Sequence, residues 1–249
     1  MDLLRISAVS YLNTFPFVYG INESGMLSNF NLLLDVPSKT AERLKAGDAD
    51  VALIPVGALP EIGQFHYISD FCVGAVGAVK TVLLLSKVPL DRITKIHLDY
   101  DSRTSVKLVR VLASHHWHIN PQWENLGEGQ ASAARDIESL VAIGDKTFEL
   151  RHRYPYVYDL AEAWIAFSGL PFVFSAWVSR KRLPDNILQQ FSGALSYGVS
   201  HKRECLDYFK DKLPANQDCF RYLEENISFA FDDSKKEGLK LFLKHLQKI

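Results

Sequence analysis

Only three of the 249 residues are cysteine, Cys72, Cys205 and Cys219. An odd, widely spaced set without a Cys-x-x-Cys pair supports neither a disulfide framework nor a thiolate metal site. Cys72, next to Phe71 and Val73, reads as a small core residue. Neither charge is in excess: 28 Lys and Arg against 29 Asp and Glu leave a net charge of −1. The basic surface that a nucleic-acid binder needs is therefore missing, whereas a small anion, which asks for one or two local charges, stays open. Long apolar runs are missing too. The longest candidate, Leu170 to Val178, is interrupted by Pro171 and Ser175 and falls far short of the ~18 residues of a membrane span. At the chain start Asp2 stands where a secretory leader carries positive charge and no extended apolar stretch follows, so a cytoplasmic protein is expected. Gly127-x-Gly129 is too short for a dinucleotide fingerprint, and neither a Gly-Lys-Ser/Thr phosphate loop nor a Gly-x-Ser-x-Gly elbow occurs. There is no internal repeat or low-complexity stretch, and no pattern specifies an oligomeric state.

What is present is ordinary globular chemistry, with 47% hydrophobic and 23% charged residues. At ~150 residues per domain the chain makes between one and two domains. Leu3 to Val9 reads as a buried strand, followed by the polar loop Ser10 to Thr14 and a helix opened by Pro16. The unit returns as strand Asn31 to Val36, turn Pro37-Ser38 and helix Thr40 to Ala46, ended by Gly47, before the apolar strand Asp50 to Pro55. Such alternation implies right-handed βαβ units and parallel pairing. His66 to Val73 and Val79 to Ser86, separated by Gly74-Ala75-Val76-Gly77, fit a hairpin or an antiparallel excursion. A second series follows: strand Lys95 to Tyr100, loop Asp101 to Ser105, helix Val106 to about His115, and strand Leu140 to Ile143 closed by Gly144-Asp145. Tyr158 to Ser168 reads as a helix with Asp159 in the capping place and Gly169 at its end, and Phe172 to Val178 is extended. Pro184 to Tyr197, Lys202 to Lys212 and Ser234 to Lys248 are amphipathic helices. Two crossings, near Ser86-Lys87 and Ala176-Trp177, predict an α/β protein of two lobes, 1–87 with 176–249 and 88–175, around a ligand cleft.

In open α/β sheets ligands bind beyond the carboxyl ends of the strands, where loops enter helix N-termini. Ser10, Asn13, Ser38, Thr81, the Ser102 to Ser105 loop, Gly144 and Asp145 occupy such places. Arg103, set among Ser102, Thr104 and Ser105, is suited to hold a carboxylate, although capping with a solvated arginine is an equal reading of that cluster. Asn13 is more often a turn former and Asp145 more often a cap than a functional group. His115 and His118, one turn apart at a helix end, are explained by the helix dipole without a metal.

Taken together, several blocks are similar to the chorismate dehydratase family of the futalosine route to menaquinone. These are Arg5 to Thr14 (RISAVSYLNT), Asp48 to Pro55 (DADVALIP), Ile68 to Cys72 (ISDFC), Ser102 to Val106 (SRTSV), Ile143 to Asp145 (IGD), Tyr156 to Trp164 (YVYDLAEAW) and Gly169 to Phe174 (GLPFVF). They span roughly residues 5 to 178 in family order; the tail beyond 180 carries little of the pattern. The resemblance implies the two-lobed fold of type II periplasmic binding proteins and cytoplasmic dehydration of chorismate to 3-[(1-carboxyvinyl)oxy]benzoate, without cofactor or metal. Where the family has glycine-proline-valine-lysine-serine, this chain reads Gly77-Ala78-Val79-Lys80-Thr81, which keeps the last hydroxyl and adds a methyl. Under that activity Arg103, Thr104 and Ser105 hold one carboxylate of a dicarboxylate substrate, and Asn13 and Thr81 contact the departing hydroxyl or the developing charge. Ser10, Ser38, Ser102, Gly144 and Asp145 complete the binding set. For the base, Asp145 and the substrate's own side-chain carboxylate both stand open. A sister family that forms dihydroxynaphthoate on the same fold ranks second. A solute receptor is disfavoured by the missing leader and anchor cysteine, and a sensor domain by the missing helix-turn-helix.

Overall fold

The structure, a computed structural model, describes residues 3–133 and 136–248. Met1 and Asp2, on which the reading of the chain start rests, lie outside them. In chain order the strands are β1 (Leu4–Val9), β2 (Phe30–Asp35), β3 (Val51–Pro55), β4 (His66–Ala75), β5 (Val82–Ser86), β6 (Lys95–Leu98), β7 (Gln122–Asn125), β8 (Ser139–Ile143), β9 (Tyr156–Asp159), β10 (Phe172–Ser179) and β11 (Ser228–Ala230). The helices are α1 (Phe15–Glu23), α2 (Pro37–Ala46), α3 (Leu59–Ile62), α4 (Thr104–Leu112), α5 (Gln130–Ala133), α6 (Thr147–Leu150), α7 (Leu160–Ser168), α8 (Asp185–Ser200), α9 (Lys202–Tyr208), α10 (Cys219–Glu225) and α11 (Asp233–Leu246).

Two sheets result, one in the order β11-β4-β10-β3-β1-β2 and the other β7-β6-β8-β5-β9. In the first, β1 pairs in parallel with β2 and β3, and every residue of β3 is buried, as a strand covered on both faces requires. β10 then runs antiparallel to β3 and β4. In the second, β6 is parallel to β7 and β8, while β5 lies antiparallel to β8 and β9.

Three expectations change here. β4 and β5 are not hairpin partners, because they belong to different sheets; the glycine-bearing stretch after β4 is a crossing, not a turn. The lobe bounds move with them: β5 has all five residues buried between β8 and β9, and the whole of β10 lies in the first sheet. The crossings therefore fall at residues 76–81 and 169–171 instead of near 87 and 176. Residues 156–159 are a strand, and the helix after them starts at Leu160 with Asp159 as its cap, accepting from the Ala161 and Glu162 N–H groups at 3.0 and 3.2 Å.

The tail helices cover the first sheet. α1 and α8 cross so closely that a Cβ on Gly20 would stand 1.9 Å from the Ala194 carbonyl oxygen and one on Gly198 1.8 Å from that of Pro16. Only glycine permits that approach. Lys235 on α11 is fully buried, and its ammonium donates to Ser228 Oγ and the Ala230 carbonyl, each at 2.7 Å, which pins the edge strand β11.

Candidate active site between the two sheets

The loops at the carboxyl ends of β1 and β3 meet those of β6 and β8 around a cavity of about 60 Å³. Asn13, Thr81, Ser102, Arg103, Thr104, Ser105 and Gly144 all line it, so seven of the ten residues picked from sequence come together. Ser10, Ser38 and Asp145 are not among its walls. Ser10 is exposed, with its N–H on the Asp35 carbonyl, and at α2 it is Pro37, not the buried Ser38, that borders the space. Asp145 accepts the Leu12 N–H, at 3.2 and 3.3 Å from its two oxygens. It thus joins the loop after β8 to the loop after β1. Burial pushes its carboxyl up to about 6, against the opposing pull of the Leu12 N–H.

Each wall is held by contacts across the gap. Thr104 donates to the Phe174 carbonyl at 3.0 Å and accepts from the Gly57 N–H at 3.1 Å. Its hydroxyl proton is committed to that clasp between α4 and the first sheet. Gly57 is part of the same closure, because a Cβ there would stand 2.6 Å from the Arg103 carbonyl oxygen. One turn on, Lys107 donates to the Gly57 carbonyl at 2.7 Å and to Glu61 at 2.9 Å. Ser102 Oγ accepts the Ser105 N–H at 3.0 Å and orders the first turn of α4. The Arg103 guanidinium lies 3.5 Å from Glu42, both side chains well exposed. So solvated a pair is weak, and an incoming carboxylate can displace Glu42.

Thr81 occupies the inner wall and is 1% exposed. Its Oγ1 lies 2.7 Å from the Tyr222 hydroxyl, and the Asn13 side chain is near enough to the same phenol to pull its pKa down against the larger effect of burial. The crossing before Thr81 is tied down on both sides: Asp159 accepts the Lys80 N–H at 2.7 Å, holding Lys80 at φ +64°, and Asn226 Nδ2 donates to the Ala78 carbonyl at 2.9 Å. Opposite, the Tyr11 ring covers Gly144, where a Cβ would come within 3.0 Å of it. Burial, and then the charges of Asp101, Asp99 and Asp145, raise the Tyr11 pKa, so its phenol keeps its proton. Behind it Asp99 is buried against the Lys146 ammonium and the Ile143 N–H. Among the described residues the cavity wall contains no Asp, Glu, His or Lys; its ionisable groups are Arg103 and Tyr11.

Sequence reasoning missed Tyr222. It is one tyrosine on a short helix whose residues match no motif and no strong period. His115 packs against His245 and Phe167 at ring-centroid distances of 4.7 and 6.4 Å, and no cluster of three or more metal-ligating side chains occurs among the described residues. A second, larger cavity of about 900 Å³ runs along the flank of α4, bordered by Phe65, Lys107, Arg110, Trp123 and Leu243.

Two sheets joined by crossing segments around such a cleft are the architecture of periplasmic-binding-protein-like folds. A solved protein of Archaeoglobus fulgidus superposes with a TM-score of 0.80 at 12% identity, covering 99% of this chain and 97% of that one. The periplasmic aliphatic sulphonate binding protein of Escherichia coli gives a TM-score of 0.63 at 15% identity over 98% and 92%. A Candida albicans protein described as having the generic periplasmic binding protein fold gives 0.67 at 13% over 100% and 91%. The menaquinone biosynthesis family matches residues 4–248, and the chain belongs to it. The chorismate dehydratase of Thermus thermophilus is 25% identical over 240 residues, 88% of either chain.

Proposed function

We propose that the protein dehydrates chorismate to 3-[(1-carboxyvinyl)oxy]benzoate and water, as a cofactor-independent hydro-lyase. Family membership and the Thermus thermophilus relative support the substrate. The observation that carries the chemistry is the wall of the small cavity: one guanidinium and several hydroxyl, amide and backbone donors, with no carboxylate, imidazole or ammonium among the described lining residues. Such a wall holds anions and does not compete with them.

Chorismate carries two carboxylates. In the proposed complex Arg103 and Ser105, with the N–H groups opening α4, hold one of them. Asn13 and Thr81 face the ring hydroxyl that departs. The C–H bond next to it breaks, its electron pair enters the ring, the C–O bond breaks, and hydroxide leaves with the abstracted proton as water. Aromatisation drives the step, so no oxidant or reductant is consumed. Because Asp145 is engaged with Leu12 and is not part of the cavity wall, the proton acceptor in this proposal is the substrate's own side-chain carboxylate, and the protein's part is to fix its geometry. A cavity of about 60 Å³ is far below the ~300 Å³ of ordinary ligand pockets. Entry therefore requires the two lobes to part about the crossings at 76–81 and 169–171, and closure excludes water afterwards.

No helix among the described residues is long and apolar enough to cross a membrane. Incubation of the protein with chorismate tests the proposal. Loss of the diene absorbance with gain of a benzoate spectrum is the expected result. Chorismate that binds and is recovered unchanged replaces the enzyme reading with that of a binding protein.

A further inference from the structure

Thr81 and Asn13 converge on a residue that lies outside both sheets. Tyr222 sits on α10, its side chain 4% exposed and its ring edge-on to Phe148 at a centroid distance of 5.4 Å. Thr81 comes from the crossing into the second sheet, Asn13 from the loop after β1, and both line the small cavity. A phenol has one proton to give and an oxygen that accepts, and a threonine hydroxyl is equally limited. The other neighbour of Thr81 Oγ1, the Val79 carbonyl, is 3.5 Å away, at the limit of a useful bond.

We propose that Tyr222 is a positioning residue: its O–H donates to Thr81 Oγ1 across 2.7 Å, which turns the Thr81 proton into the cavity toward the departing oxygen. The proposal rests on the reading of Thr81 as the donor to that oxygen. In this arrangement the Asn13 amide, beside the phenol, gives its N–H to the phenol oxygen, so the order of donation is Asn13 to Tyr222 to Thr81 to substrate. The reverse order spends the Thr81 proton on Tyr222 and leaves nothing for the leaving group. Burial keeps Tyr222 protonated far above neutral pH, so the direction of the chain does not invert in the working range. The role also suits a threonine, whose hydroxyl rotates about one bond and needs a fixed partner to select its orientation.

A kinetic double-mutant cycle of Tyr222→Phe and Thr81→Ala decides the matter, because phenylalanine keeps the ring against Phe148 and removes only the hydroxyl. In the wild-type background Y222F is expected to lower kcat for chorismate by about 10- to 30-fold, the worth of one aimed hydrogen bond. KM should change less than about threefold, since ground-state contacts remain. In the T81A background the same change is expected to cost less than about twofold, whereas in T81S it keeps its full effect. Equal losses in the wild-type and T81A backgrounds overturn the proposal, because a merely structural tyrosine acts regardless of Thr81. A T81A loss beside an unchanged Y222F removes Tyr222 alone. Undiminished turnover in T81A removes the role of Thr81 itself, and that of Tyr222 with it.

Discussion

Helix α4 borders two hollows that differ in size and in how their polar groups are engaged. Its N-terminus closes the cavity of about 60 Å³, walled by Asn13, Thr81, Arg103 and Ser105 and clasped to the first sheet by the two hydrogen bonds of Thr104. Its flank opens on the groove of about 900 Å³, where Lys107 is spent on Glu61 and Gly57, and Arg110 lies 5.2 Å from the centroid of the Trp123 ring. Volume favours the groove. Chemistry favours the cavity, because there the Thr81 and Ser105 hydroxyls, the Asn13 amide and the weakly paired Arg103 guanidinium meet from segments far apart in the chain, whereas the basic groups on the groove are already engaged.

Substitutions on the two sides of α4 are the direct way to break that contrast. The largest effect is expected at Arg103: Arg103→Ala should lower kcat/KM for chorismate by about 10- to 100-fold, mostly through KM, and Arg103→Lys should recover only part, since a lysine cannot grip a carboxylate with two donors. Steady-state kinetics read this, and an unchanged KM places the carboxylate elsewhere.

A smaller effect is expected at the latch between the loops. A carboxyl raised to about 6 binds its proton more tightly in the folded protein than in the unfolded chain. Asp145 therefore favours folding while protonated, loses that advantage as pH rises from about 4 to about 6, and contributes a constant cost above. Asp145→Asn still accepts the Leu12 N–H through its amide oxygen and lacks the slope. Urea midpoints of wild type and variant should converge toward pH 4 and separate by pH 7 in favour of the variant, with turnover within about tenfold of wild type. Loss of activity by many orders of magnitude would restore Asp145 as the base. The smallest effect belongs to the groove: Arg110→Ala should leave kcat/KM within about twofold, and a loss as large as that of Arg103→Ala would erase the distinction between the two hollows.

The sequence made the alternation of β1, α1, β2, α2 and β3 legible because each strand is a short apolar run closed by a polar loop, proline or glycine. It left β7 and β9 hidden, since Gln122–Asn125 and Tyr156–Asp159 are polar or exposed edge strands with no apolar alternation to mark them. Gly74-Ala75-Val76-Gly77 looked like a turn because a turn and a crossing between sheets need the same residues; only pairing separates them. The loops of the site were likewise readable, but not which way their side chains point. Ser10 and Asp145 sit beside Asn13 and Gly144 in sequence and still face other partners. Tyr222 carried no signal at all, because a positioning contact 141 residues from Thr81 is a property of the fold and not of any local pattern.

The most direct measurement is a crystal structure of the protein with 3-[(1-carboxyvinyl)oxy]benzoate bound. The expected result is a ligand between the two sheets, one carboxylate on Arg103 and the α4 N-terminus, and the ring edge within hydrogen-bonding reach of Asn13 and Thr81. Density for the benzoate along the flank of α4, with the inner cavity left at its present size, would contradict it.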